Sequence, residues 1–310
     1  MRKKATIAVA QVEYPAMPAA ANRGSAEFDA GAAVAYSQAC AESAGALFEE
    51  AGKKGADLVL GPEDMTRAAL YLEPGEPDVF AQLAQPIPGP LTERLAQITR
   101  RYRMYVAACF VEREGRRLYN TLVVTGRDGD VAYRYRKVHL PCTEVKRVSA
   151  GEEISVVDLD FAAVAGCICY DIIFPEHVLA AALKGADLIL HPTVGFGWTE
   201  GLGEATLRVR ANDCSVCIAA ALPYGGLLSP GRSQVVDYDG IVLADAGYRA
   251  GVVVSAEMDF ARERVGKFAD LVGFPELRAR LAMERKPQAY GVISAPQPPI
   301  LSRYPGKRIL

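Results

Sequence analysis

"KGADLVLGPED" fills residues 54–64 and "KGADLILHPTV" fills residues 184–194. Both stretches run Lys-Gly, Ala-Asp-Leu, aliphatic residues, then proline. A glycine after a helical run is a helix stop. The short aliphatic run that follows suits a buried strand. Each copy therefore reads as a helix end feeding a strand, and the repeat predicts two similar sheets. One difference is chemical: Glu63 follows the first proline and Thr193 follows the second. Only one of two matching strand ends carries a carboxylate.

Outward from these copies, strands and helices alternate. Residues 5–12 read as a strand, 13–29 as an irregular excursion and 30–54 as an Ala-rich helix. "GPLTERLAQITRRYR" reads as a helix with Pro90 near its start and arginine in its last turn. "MYVAACFVE", "LYNTLVVTG" and "VAYRYRKVHL" read as strands joined by the turn signals "REGR" and "RDGD". The second half predicts strand 161–169, helix 174–185, strand 186–191, helix 202–214, strand 215–222 and a hairpin at "DYDG". Such alternation with hairpins predicts a layered α/β sandwich with mixed sheets facing each other. Residues 1–284 are expected to form one domain. The Pro-rich tail, 285–310, is expected to lie over a surface or a partner subunit.

The bulk composition excludes several classes. Half of the residues are hydrophobic and 23% are charged, with a net charge of -2. No nucleic acid or anionic membrane is expected as a partner, and no apolar run reaches the ~20 residues of a membrane span. "MRKK" before "ATIAVAQV" faintly suggests a signal peptide, but Gln11 and Glu13 interrupt the apolar stretch, so a buried strand is favoured. Seven cysteines without a dense regular spacing suit a reduced, cytoplasmic setting.

The chemistry concentrates in "VAGCICYDIIFPE", residues 164–176. A small apolar strand reaches Cys169 and turns through Tyr170-Asp171, with Pro175 and Glu176 suited to a helix start. A side chain at a sharp strand-to-helix turn is exposed near backbone N–H groups, which is a nucleophile's position. Cys167, deeper in the strand, is expected on the same face and packed. Taken singly, Glu63 reads as a solvated loop acid, and "YRYRKVHLP" reads as an edge strand protected by its basic residues. His139, His177 or His191 could pair with the thiol. A zinc cluster from Cys167, Cys169, Cys214 and Cys217 is disfavoured, because these residues lie in or beside strand-like sequence.

Together, "GPE" at 61–63, "RKVHLP" at 136–141 and "CICYDIIFPE" at 167–176 resemble the nitrilase superfamily of carbon–nitrogen hydrolases. "IAVAQ", "RVRANDCSVCIAAALPYG" and "GRSQVVDYDGIVLADAG" extend the resemblance over nearly the whole chain. The resemblance implies a four-layer αββα sandwich and a Glu-Lys-Cys triad of Glu63, Lys137 and Cys169. It assigns Glu144, which precedes Gly151 at the family's spacing, as a second catalytic glutamate. Tyr170 N–H is expected at the oxyanion, with His191, Thr193 and Trp198 near the substrate. No metal or organic cofactor is implied. The expected partners are a small amide or N-carbamoyl amine and further copies of the chain, as a homodimer or larger assembly. A nitrile-cleaving relative and a non-catalytic scaffolding homologue are the alternatives.

The chain also departs from the pattern. True nitrilases in the superfamily tend to carry Cys-Trp-Glu where this chain has Cys169-Tyr170-Asp171, as in amidases and carbamoylases. Gly61 stands where an aromatic residue is common, which suggests a differently shaped pocket. Relatives acting on N-carbamoyl amino acids or ω-amides of keto acids commonly place a carboxylate-holding arginine just after Cys-X-Asp. Here Ile172 and Ile173 follow, with Arg208 or Arg210 as possible substitutes.

Overall fold

The computed structural model describes residues 3–141, 143–195, 201–225, 231–264 and 277–303. It divides into two compact units, Met1–Arg262 and Glu263–Leu310.

The first unit holds two six-stranded mixed sheets. One contains β1 (Lys4–Gln11), β2 (Leu58–Leu60), β3 (Tyr105–Glu114), β4 (Arg117–Thr125), β5 (Val131–Arg136) and β12 (Val252–Asp259) in the order β12-β1-β2-β3-β4-β5. The other contains β6 (Val156–Asp158), β7 (Ala163–Gly166), β8 (Leu188–Pro192), β9 (Cys217–Ala221), β10 (Gln234–Val236) and β11 (Val242–Asp245) in the order β11-β10-β9-β8-β7-β6. In each sheet a parallel trio, β1-β2-β3 or β7-β8-β9, is flanked by antiparallel strands.

The two copies of the repeat occupy equivalent central strands, β2 and β8. Their hydrogen bonds match as well. Asp57 accepts from Thr6 N at 2.9 Å, and Asp187 accepts from Ala163 N at 3.0 Å, each carboxylate tying its strand to the parallel neighbour. Gly55 and Gly185 both end helices at positive φ, +78° and +103°, a conformation that glycine adopts without a Cβ clash.

Alternation along the strands builds the layers. Ile7, Leu60 and Leu122 from one sheet meet Val164, Leu190 and Ala219 from the other in a shared core. Val59 and Val106 face away, toward Phe48 of α1 (Ala30–Lys53) and Leu95 of α3 (Pro90–Tyr102); the short α2 (Val79–Leu83) lies between these helices in sequence. Ile189 and Ile218 face Val178 of α4 (Pro175–Leu183) and Leu207 of α5 (Leu202–Cys214). The order is helix, sheet, sheet, helix, with the two similar sheets that the repeat predicts and the layering that the resemblance implies. Strand 161–169 is shorter than expected, because the chain leaves the ladder after Gly166. The helix at 202–214 runs as read, and Ser215 stops it in the left-handed region.

In the second unit α6 (Leu277–Glu284) precedes two 3-10 segments, Pro287–Ser294 and Pro299–Arg303. Residue 284, the expected end of the main domain, closes this helix. No helix among the described residues is long and apolar enough to cross a membrane.

Candidate active site

Four chain segments converge between the ends of β2, β4, β5 and β7. Glu63 lies just past β2. The loop that carries it is fixed by Asp64, in the left-handed region at φ 53°, which accepts from Thr66 Oγ1 at 2.8 Å and Ala69 N at 2.6 Å. Gly61 does not open a pocket. A Cβ there would meet the Phe48 ring at 2.7 Å, so α1 already fills that space.

Lys137 follows the last residue of β5 and is almost wholly buried. Its backbone donates to Asn120 O at 2.9 Å and accepts from Gly151 N at 2.8 Å. A Cβ on Gly151 would collide with the Arg136 carbonyl, so only glycine lets the segment after Glu144 approach the end of β5 this closely. The Lys137 ammonium donates to Glu63 Oε1 at 2.9 Å and to Glu144 Oε2 at 2.7 Å.

Asn120, on β4, closes the arrangement, and the sequence reading did not single it out. Its Nδ2 donates to Glu63 Oε1 at 2.9 Å and Glu144 Oε1 at 2.7 Å, while its Oδ1 accepts from the Cys109 thiol at 3.1 Å. Glu63 Oε2 also accepts from Val194 N at 3.3 Å. Two carboxylates thus share one ammonium and one amide. Buried charges are tolerated when such donors surround them. The signal for Asn120 was its parity with Leu122 and Val124, which places an amide on the face between the sheets.

Cys169 sits at φ 43° at the start of a 3-10 turn, Cys169–Ile173. This conformation costs a non-glycine residue about 1–2 kcal/mol. It also separates the two cysteines. Cys167 packs in the helix-facing core, whereas Cys169 lies against the core between the sheets. The expectation of a shared face fails because the turn breaks strand periodicity.

Asp171 holds this turn. It is fully buried and accepts from Ile168 N at 2.9 Å, Tyr135 Oη at 2.7 Å and His139 N at 2.9 Å, with His139 Nδ1 at 2.8 Å. Burial alone would raise its carboxyl; the bond from His139, the nearby His177 and the other donors hold it below the usual range.

Burial pushes the Cys169 thiol up to about 12, the Glu63 carboxylate adds to this, and the Lys137 ammonium and the Thr193 hydroxyl oppose it. Glu63 and Thr193 both act on the thiol, Glu63 raising its pKa and Thr193 lowering it. Burial disfavours the Lys137 ammonium, but Glu63, Glu144 and Cys169 override it and hold the group well above its ordinary value. Burial raises Glu144, with Lys137 opposing and Glu63 reinforcing.

The structure thus brings together Glu63, Lys137, Glu144, Cys169 and Thr193, the last nearly fully buried. Tyr170 is exposed, its ring edge-on to Phe174 at 5.3 Å. His191 is fully buried on β8, with Nδ1 2.7 Å from the Cys167 carbonyl oxygen. Trp198 lies outside the described residues. Ile172 packs into the helix-facing core, leaving Ile173 exposed beside the turn. Arg208 Nε donates to Gly240 O at 2.9 Å, and Arg210 pairs with Asp213 at 3.6 Å.

The carbon–nitrogen hydrolase family model matches residues 6–268. The chain belongs to this family of the nitrilase superfamily. An omega-amidase from Xenopus tropicalis is 33% identical over 229 residues, covering 69% of this chain and 80% of that protein. A nitrilase from Pyrococcus abyssi is 34% identical over 230 residues, covering 73% and 85%. In fold, this carbon–nitrogen hydrolase is similar to an amidase from Nesterenkonia, with a TM-score of 0.67 at 22% identity over 94% of this chain and 97% of that one. A nitrilase-superfamily member from Saccharomyces cerevisiae also has a TM-score of 0.67, at 24% identity over 89% and 97%.

Proposed function

We propose that the chain is an amidohydrolase that cleaves the carbon–nitrogen bond of a small amide or N-carbamoyl amine through a thioester on Cys169. One observation carries this reading: the Lys137 ammonium stands between Glu63 and Glu144, and both Glu63 and Lys137 act electrostatically on the Cys169 thiol. Base, cation and nucleophile meet in one buried place. The names of the similar amidases and omega-amidases support the same bond type.

A thiol ionising near 12 is free thiolate in about one molecule in 10^5 at pH 7. Proton removal is therefore coupled to attack. Glu63 takes the thiol proton as sulfur bonds to the amide carbon, and the carbonyl π pair moves to oxygen. Lys137 and the Tyr170 N–H stabilise that oxyanion. The tetrahedral centre collapses, the C–N bond breaks, and Glu63 returns the proton to the departing nitrogen. Water then attacks the thioester, losing its proton to Glu63, and the acid leaves as the Cys169 thiol reforms. Glu144 keeps Lys137 charged and aimed. Thr193, Tyr170 and His191 are assigned to the pocket wall.

Assembly as a homodimer or larger homo-oligomer belongs to the same proposal. The second unit exposes Met283, Val292 and Ile293 at 63%, 56% and 55%, apolar side chains that a neighbouring copy would cover. A cytoplasmic setting is proposed with it. Ammonia release across a panel of linear amides, N-carbamoyl amines and nitriles tests the reading. Turnover confined to nitriles favours a nitrilase, and no turnover with any of them favours a scaffolding protein.

A further inference from the structure

Behind the nucleophile turn, two imidazoles and one carboxylate meet. One donor atom from each of His139, Asp171 and His177 lies within 4.8 Å of the others. Asp171 Oδ1 is 2.8 Å from His139 Nδ1 and 3.8 Å from His177 Nδ1. Asp171 and His177 are buried, and the His139 side chain is 27% exposed, leaving an approach from solvent.

The tautomer of His177 is fixed by chemistry. Its Nε2 is 2.9 Å from the Gly166 carbonyl oxygen, which only accepts, so Nε2 carries the hydrogen. Nδ1 is left with a lone pair, buried, without a hydrogen-bond partner, and directed toward a carboxylate oxygen. A lone pair facing a carboxylate is unfavourable unless a proton or a cation lies between them. A ring N–H anchored on a backbone carbonyl is how a metal-bound histidine is usually oriented.

We propose that His139, Asp171 and His177 form an inhibitory site for a divalent ion of the zinc class. Two nitrogens and one oxygen suit zinc, whereas calcium and magnesium need more oxygens. Ligands about 2.1 Å from a tetrahedral ion lie roughly 3.4 Å apart, between the 2.8 and 3.8 Å observed here. Water completes the shell on the His139 side. Binding shifts the His139 ring proton to Nε2 and draws Asp171 Oδ1 from the His139 backbone N–H. The brace of the Cys169 turn loosens, so the loaded protein turns over more slowly. The site is separate from the hydrolytic groups, and its occupancy does not depend on which substrate is cleaved.

The test titrates Co2+ into Cys169→Ser protein, which removes the competing thiol, and follows visible absorption with Zn2+ as competitor. The expected result is one equivalent of bound Co2+ with d–d bands, no thiolate charge-transfer band, and displacement by Zn2+. His177→Phe raises the apparent Kd by at least about tenfold. If His177→Phe does not fold, His139→Gln, changed at the accessible ligand, gives the same rise. Absence of Co2+ binding up to millimolar concentration, a thiolate band indicating Cys167, or unchanged affinity in the folded histidine variants overturns the site.

Discussion

Asn120 donates from one amide nitrogen to Glu63 at 2.9 Å and to Glu144 at 2.7 Å. Its orientation is set from behind by the Cys109 thiol. The carboxylate pair is therefore held by a neutral donor as well as by Lys137. Removing that donor favours protonated Glu144, because the bond stabilises its charged form. Asn120→Ala is expected to lower kcat/KM by about 10–100-fold, in keeping with hydrogen bonds to charged groups. The acid limb of its pH–rate profile moves to higher pH. An unchanged profile would mean that the amide only fills space.

His191 links stability to pH. Burial brings its pKa down to about 4 in the folded protein, against about 6.5 when unfolded. Between those values the unfolded chain holds a proton that the folded chain lacks, so stability falls as pH drops from about 6.5 to 4. The loss approaches roughly 3 kcal/mol at the low end. His191→Gln, which can still donate to the Cys167 carbonyl, flattens this slope in urea titrations. An equal slope in the variant assigns the effect to other groups.

Much of this was legible in the sequence because it is periodic or local. The repeat at 54–64 and 184–194 marked the central strands, and Cys169 stood at a turn. Asn120 was harder to see: its role needs β3, β4 and the Glu144 segment brought together, which no spacing within "LYNTLVVTG" encodes. Asp171 looked like part of a motif, but its work is to gather donors from Ile168, Tyr135 and His139. The Cys167–Cys169 relation was misread because strand parity fails where one residue adopts positive φ.

Metal removal is expected to leave hydrolysis intact. In the proposed mechanism Glu63, Lys137 and Cys169 supply base, electrophile and nucleophile without an ion. Activity measured after dialysis against EDTA and phenanthroline stays at the untreated level, or rises where the inhibitory ion was bound. Loss on chelation with recovery on zinc would contradict the proposed chemistry.

Substrate charge follows from Ile173, which is 60% exposed at the end of the Cys169–Ile173 turn. An apolar side chain does not compensate a carboxylate for lost hydration. Arg208 is engaged by the Gly240 carbonyl and Arg210 by Asp213. A neutral amide is therefore expected to exceed its ω-carboxylate analogue of equal length in kcat/KM. Preference for the acid would place a cationic clamp elsewhere in the pocket.

The central claim is a covalent acyl group on Cys169. Quenching turnover of an amide in acid and mapping the peptides by mass spectrometry reads it directly. The account predicts the acyl mass on the peptide at Cys169, its absence in inactive but folded Cys169→Ser, and a Cys167→Ser variant that keeps most activity. Acylation at Cys167, or full turnover by Cys169→Ser, would contradict it.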